Sequence, residues 1–172
     1  LRMIAGFEQP TEGEILLAEW EALEPTFTIN SKPVWHDDSA LRVCEKWMAQ
    51  GPGIVWTNHS FFAKELARRT GAAYFGAKGV DSAGRGVDIQ KDGTPIVNPL
   101  TDPKGIICSI PANGEGRNLQ HWHRNLNTSP DGCPKLWEQF LGRTHRDGQK
   151  EKLVTVDVLI GCKEHADAWV SA

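Results

Sequence analysis

Apolar positions along this chain switch between helical and strand spacing, and the order of the switches predicts the fold. Leu41, Cys44, Trp47 and Met48 share one helical face, which predicts a helix over 39–50. Asp38 or Ser39 can cap it, and Gly51-Pro52-Gly53 stops it. Ile54-Val55-Trp56-Thr57 is a short run of the kind expected for a strand covered on both faces. Ser60 then caps a second helix, with Phe62 and Leu66 at i,i+4 spacing and Gly71 as its stop. Residues 72–77, 105–110 and 125–129 read as further strands. Pro134 suits the first turn of a helix that would bury Leu136, Trp137, Phe140 and Leu141. Residues 153–160, rich in β-branched side chains, form the clearest strand. Residues 163–172 read as a helix with Ala166, Trp169 and Val170 on one face. Residues 78–104, rich in Gly, Asp and Pro, read as a loop or small β excursion, with Lys91-Asp92-Gly93 as a hairpin turn.

Short strands alternating with helices imply an α/β fold with a doubly wound, mainly parallel sheet. Right-handed crossovers then collect the C-terminal strand ends on one edge, where ligands meet the loops. That edge carries His59 and its neighbours, and the loops after Ile110, Ser129 and Ile160.

Charge separates the start of the chain from the rest. Residues 1–26 hold six acidic side chains against Arg2 alone, a net charge of −5. Pro33 limits helix in the stretch that follows. The expected organisation is an extended or irregular lead-in over 1–38 and one α/β domain over 39–172.

The whole chain has 172 residues, 40% hydrophobic and 24% charged, with a net charge of −3. These values place it among soluble globular proteins and exclude a bulk electrostatic nucleic-acid binder. No apolar run approaches the roughly 18–20 residues of a membrane span, so no membrane partner is expected, and a cytoplasmic location is. The chain begins with Leu, not Met, as a fragment would. Cys44, Cys108, Cys133 and Cys162 form no C-x-x-C pair and read as buried free thiols of a reducing compartment. No metal site is expected.

Two segments carry candidate chemistry. In Gln139-Phe-Leu-Gly-Arg-Thr-His-Arg-Asp-Gly-Gln149, helical geometry would put Arg143 and Arg146 on one face. Two converging guanidiniums suit a transferring phosphoryl group, whose charge spreads over its oxygens. The plainer reading is a solvated basic helix end. In Ser109-Ile-Pro-Ala-Asn-Gly-Glu-Gly-Arg-Asn-Leu-Gln120, a strand runs into a Gly-x-Gly turn that can offer N–H groups to phosphate, or be an ordinary tight turn. Residues 117–150 hold six basic and three acidic side chains, a local balance of +3 that suits phosphates. Three weaker features have plain alternatives. His121 and His123 could share a metal or be loop residues. Trp122 could stack on a base or pack in the core. Asp37 and Asp38 could hold Mg²⁺ or cap a helix.

Together these segments resemble a known pattern. Gln-x-x-Gly-Arg-x-His-Arg-x-Gly-Gln is very close to motif VI of the SWI/SNF-type branch of superfamily 2 helicases and translocases. Residues 109–119 resemble motif V, and residues 54–59 lie where motif IV belongs. The likeness covers about residues 39–172 and is greatest to the compact phage-type helicases, which implies a bacterial or phage-infected cell.

The resemblance implies a second RecA-like lobe that acts with a first lobe supplied in cis in a longer chain. ATP and Mg²⁺ would be bound mainly by that first lobe, with no cofactor held tightly by this chain. Arg143 and Arg146 would be arginine fingers. Gln139, Gly142, Gly114, Glu115 and Gly116 would line the nucleotide side. Thr57, Asn58, Ser109, Asn118 and Arg117 would contact nucleic acid, taken to be DNA. The sequence departs from the family at Asn113, where Gly is customary, at loop 78–104, and at Asp147. It contains no Gly-x-x-x-x-Gly-Lys-Ser/Thr and no Asp-Glu box, so hydrolysis by this chain alone is not expected. A non-catalytic RecA-like module that binds nucleic acid or protein is the alternative.

Overall fold

The computed structural model describes residues 11–26, 32–87 and 96–171. It divides into two compact units, 1–34 and 35–172. In the first, Glu12–Leu23 forms helix α1, followed by a 3-10 turn at Glu24–Thr26. The lead-in is therefore not extended throughout. A capping box starts the helix: Glu14 N–H donates to Thr11 Oγ1 at 3.3 Å, and Thr11 N–H donates to Glu14 Oε2 at 2.7 Å. Residues 27–31, expected to be extended, and the Lys91-Asp92-Gly93 turn lie outside the described residues.

Among the described residues, the second unit contains five strands: β1 (Ile54–Thr57), β2 (Ala73–Phe75), β3 (Ile106–Ser109), β4 (Arg124–Asn127) and β5 (Thr155–Val158). They form one sheet in the order β2-β3-β1-β4-β5, parallel at every pairing. The α/β, doubly wound expectation holds. Alternation along β1 splits the core between the two faces. Ile54 and Trp56 join Phe75, Ile106, Cys108, Trp137 and Phe140 on one side. Val55 joins Ile107, Leu126 and the apolar stripes of α2 (Ser39–Ala49) and α3 (Ser60–Thr70) on the other.

Local chemistry moves several boundaries. Asp38 is the N-cap residue of α2, but its side chain makes no capping bond; Asp37 Oδ1 accepts from Ser39 N–H at 2.8 Å. Asp38 instead pairs with Arg42 and Arg69. Ser60 is the first residue of α3, not its cap. The third strand ends in a helical turn, α4 (Ile110–Asn113), which the sequence reading lacked. Asn113 holds this turn down: its Nδ2 donates to the carbonyls of Phe75 at 3.0 Å and Ser109 at 3.1 Å. The customary glycine could not make that clamp. In α5 (Pro134–Leu141), Trp137 and Phe140 are buried, but Leu136 is exposed and Leu141 half-buried. The strand expected to be clearest, β5, is an edge strand. In the last helix, α6 (Lys163–Ser171), Trp169 and Val170 are exposed, although Trp169 packs edge-on against Trp137 at 5.3 Å. Cys44 and Cys108 are buried thiols, as expected, with burial pushing the Cys44 thiol up to about 12; Cys133 and Cys162 are exposed.

Candidate functional site

A cavity of about 280 Å³ opens where β1, β3 and β4 end. β1 is central: the chain leaves it for β2 and β3 on one side and then crosses from β3 to β4 on the other. Such a reversal point is where open α/β sheets receive ligands. Hydrogen bonds fix its floor. Asn58 N–H donates to Ser129 Oγ at 3.1 Å, and Ser129 N–H donates to Asn127 Oδ1 at 2.9 Å. Thr128 Oγ1 donates to the Trp56 carbonyl at 3.0 Å, so the turn after β4 is tied to the end of β1. One wall is the start of α5, with Leu136, Trp137 and Phe140; opposite stand Ile110 and Pro111 of α4.

The two arginines sit beyond the C-terminal end of α5. The helix stops at Leu141, so Arg143 and Arg146 do not share a helical face. The segment folds as successive turns, with Arg143 N–H donating to the Phe140 carbonyl at 3.2 Å and Gln149 N–H to that of Arg146 at 3.1 Å. Between them Thr144 is fully buried, and its Oγ1 accepts from Asn125 Nδ2 at 3.2 Å. Gln149 Nε2 bridges the carbonyls of Trp122 and Thr144. This anchored segment turns both guanidiniums toward one atom, the Arg117 carbonyl oxygen, at 3.4 Å from Arg143 and 3.5 Å from Arg146. Arg143 Nε also donates to the Gln139 carbonyl at 2.8 Å. Among the described residues, neither arginine lies within 4.0 Å of a carboxylate.

The expected site residues therefore fall into two groups. Asn58, Gly114, Glu115 and Gln139 line the cavity. Arg143 and Arg146 gather at Arg117, half-buried on the segment leading into β4. Gly142 borders them, but at φ −62° it is ordinary backbone. Gly116 has φ +70° and stands exposed in the turn, and Asn118 is half-buried beyond it. Thr57 is buried, and its Oγ1 accepts from His59 N–H at 3.1 Å, so it shapes the turn from within. Ser109 is half-buried at the end of β3.

The basic stretch is not one patch. Arg124 begins β4 at the opposite edge, where it donates to the carbonyls of Gly51 and Trp47 and stacks on the Trp47 ring at 4.3 Å. Lys150 lies beside it in a shallow depression with His123 and Thr155. Trp122 is fully buried, so base stacking is out. His121 sits in a turn with Nε2 2.6 Å from the Val97 carbonyl, and burial pushes its pKa down against that bond. Among the described residues, no group of three or more His, Cys, Asp or Glu side chains could hold a metal ion.

Asn127, Ser129 and Asp131 complete the cavity and were not singled out in the sequence. The signal for them was their place at the end of the fourth strand and in the loop that follows it. No helix among the described residues is long and apolar enough to cross a membrane.

No family model matches the chain, and no curated protein matches it. Among solved structures, it is similar to the crystal structure of the C-terminal part of the Fun30 ATPase domain, with a TM-score of 0.52 and 13% identity. The likeness covers 92% of this chain and 54% of that one, so the chain spans about half the length of that solved structure. At this identity the likeness establishes the fold: a parallel, RecA-like α/β lobe.

Proposed function

We propose that the chain is the C-terminal lobe of an ATP-dependent nucleic-acid helicase or translocase, with Arg143 and Arg146 acting on a phosphoryl group held by a first lobe. The observation that carries this reading is the anchored segment 140–149, which turns two guanidiniums, without carboxylate partners among the described residues, toward the Arg117 carbonyl. Planar donors fixed in advance stabilise charge that spreads over transferring oxygens. The motif VI resemblance supports the same assignment. Bound ATP supplies the phosphoryl group to be transferred, and Mg²⁺ neutralises its charge. The donors present here suit the phosphate end, while the metal would rest on the first lobe. Asn58, Ser109, Asn118 and Arg117 would track a nucleic-acid backbone, DNA in this reading, and contacts of that kind carry no sequence information. Affinity to the phage-type branch rests on the motifs alone.

The test is ATP turnover by the chain alone and joined to a lobe carrying a phosphate loop. The lone chain should show none. In the joined protein, Arg146→Ala and Arg143→Ala should each cut turnover by about 10³-fold or more. Turnover by the lone chain, or a joined protein indifferent to both substitutions, would overturn the reading.

A further inference from the structure

We propose that the cavity between α4 and α5 binds a single nucleobase bearing an exocyclic amine, edge toward Asn127 and face against Trp137 and Phe140. Asn127 is 4% exposed and lines the cavity. Its Oδ1 accepts from Ser129 N–H, which must meet an oxygen, so the orientation of the amide is fixed. The NH2 group is then the other branch, and among the described residues it has no hydrogen-bond partner. Among the described residues, the buried polar atoms without a partner include Asn113 Oδ1 and Trp122 Nε1 but not Asn127 Nδ2, which is therefore open to the cavity, where a ligand acceptor can take the place of water.

Charge and shape select the occupant. No Lys or Arg lines the cavity, while Glu115 and Asp131 do. Phosphate is repelled there, so only the neutral part of a nucleotide can enter. A carboxylate only accepts hydrogen bonds, and Asn127 Nδ2 can only donate. A ligand that satisfies both needs an N–H donor and an acceptor on one rigid edge. Cytosine and adenine carry that pair as an amine beside a ring nitrogen, and the amine has two N–H groups for the two carboxylates where uracil has one. An arginine side chain would satisfy the carboxylates and stack on the rings, but would leave the amide donor unmatched. A cavity of about 280 Å³ suits a fragment of this size. Aromatic walls add stacking that is indifferent to the particular base.

This inference deepens the nucleic-acid reading and rests on it. The base could come from a nucleic-acid strand or from a free nucleotide, and the experiment separates the two. The ¹⁵N-labelled 172-residue chain is titrated with cytidine, adenosine, uridine and N-ethylguanidinium. It is then titrated with a single-stranded oligonucleotide and with the same strand carrying abasic sites. Cytidine and adenosine should move the Asn127 side-chain NH2 signals, with uridine weaker by about tenfold. Asn127→Asp keeps the acceptor for Ser129 N–H and removes the donor; it should weaken cytidine by at least about tenfold while the backbone spectrum stays folded. Equal affinity for uridine and cytidine, or unmoved Asn127 signals, overturns the proposal. Saturation by N-ethylguanidinium with no response to nucleosides overturns it in favour of an arginine-bearing protein partner. Nucleosides bound but no oligonucleotide bound would sink the nucleic-acid reading and leave the cavity to a free nucleotide. Oligonucleotides bound equally with and without bases would sink the cavity proposal and leave the backbone contacts standing.

Discussion

Asn125 donates through Nδ2 to Thr144 Oγ1 at 3.2 Å in the interior, and Thr144 stands between half-buried Arg143 and exposed Arg146 in the chain. Asn125 Oδ1 meanwhile accepts from Trp56 Nε1 at 3.1 Å, so one amide joins β1, β4 and the arginine segment. Thr144→Val removes one partner and leaves the amide its bond to the Thr155 carbonyl. Urea denaturation should show a loss of about 1 kcal/mol. Asn125→Leu leaves both Trp56 Nε1 and Thr144 Oγ1 without this partner and should cost roughly 2–3 kcal/mol. Equal losses in the two variants would show that the amide is not the hub.

Gly105 has φ +78°, and a Cβ there would lie 2.5 Å from the Gly53 carbonyl oxygen. That carbonyl also accepts from Ile106 N–H at 2.9 Å, so neither backbone can yield without losing the start of the β1–β3 pairing. Gly84 has φ +77° with nothing within 4 Å of its Cβ position. Gly84→Ala should therefore cost only the left-handed backbone term, about 1 kcal/mol. Gly105→Ala should cost clearly more, about 3 kcal/mol or above. Denaturant midpoints of the two variants give the comparison directly.

Sheet and helices were legible because Ile54, Val55 and Trp56 form a run without polar gaps and Leu41, Cys44, Trp47 and Met48 repeat at helical spacing. Helix α1 was also written in the chain, as Thr11-x-x-Glu14 ahead of Ile15, Leu16 and Leu17. Acidic composition hid that signal. What sequence could not give was the path of the chain between elements. Arg124 reads like one more basic residue near the motifs, yet as the first residue of β4 it lies a strand's length from the cavity. Thr57 reads as a polar tip on an apolar strand, yet the tight turn at His59 draws its hydroxyl inward. Asn127 drew no notice, because its significance depends on which half of the amide Ser129 occupies.

The division of the basic residues has a measurable consequence. Arg143 is half-buried and Arg146 exposed, and among the described residues both make side-chain bonds only to carbonyl oxygens. Arg117→Ala should lower the slope of log affinity for nucleic acid against log salt by about 0.7 for single strands or about 0.9 for duplex, a slope that should be unchanged in Arg143→Ala and Arg146→Ala. Their effect on folding should stay within about 0.5 kcal/mol. Arg124→Ala removes the cation over Trp47 and the donors to Gly51 and Trp47, so stability falls by roughly 1–2 kcal/mol while the salt slope holds. A salt slope lowered by Arg124→Ala would place nucleic acid at the opposite edge of the sheet.

His121 makes stability depend on pH in a defined direction. Burial holds its pKa below the ordinary value of 6.5, and the Val97 carbonyl at 2.6 Å only partly offsets that. Above 6.5 the imidazole is neutral in both folded and unfolded chains and adds no dependence. As pH falls through 6.5, the unfolded chain takes up a proton that the folded chain refuses, so the folded state loses ground until its own lower pKa is reached. Denaturation midpoints should thus be level at mildly alkaline pH and decline below neutrality. His121→Gln keeps a donor for the Val97 carbonyl but cannot titrate. It should flatten the part of that decline nearest neutrality, before the carboxylates begin to protonate. A variant with the full native decline between neutrality and the carboxylate range would show that His121 is not its source.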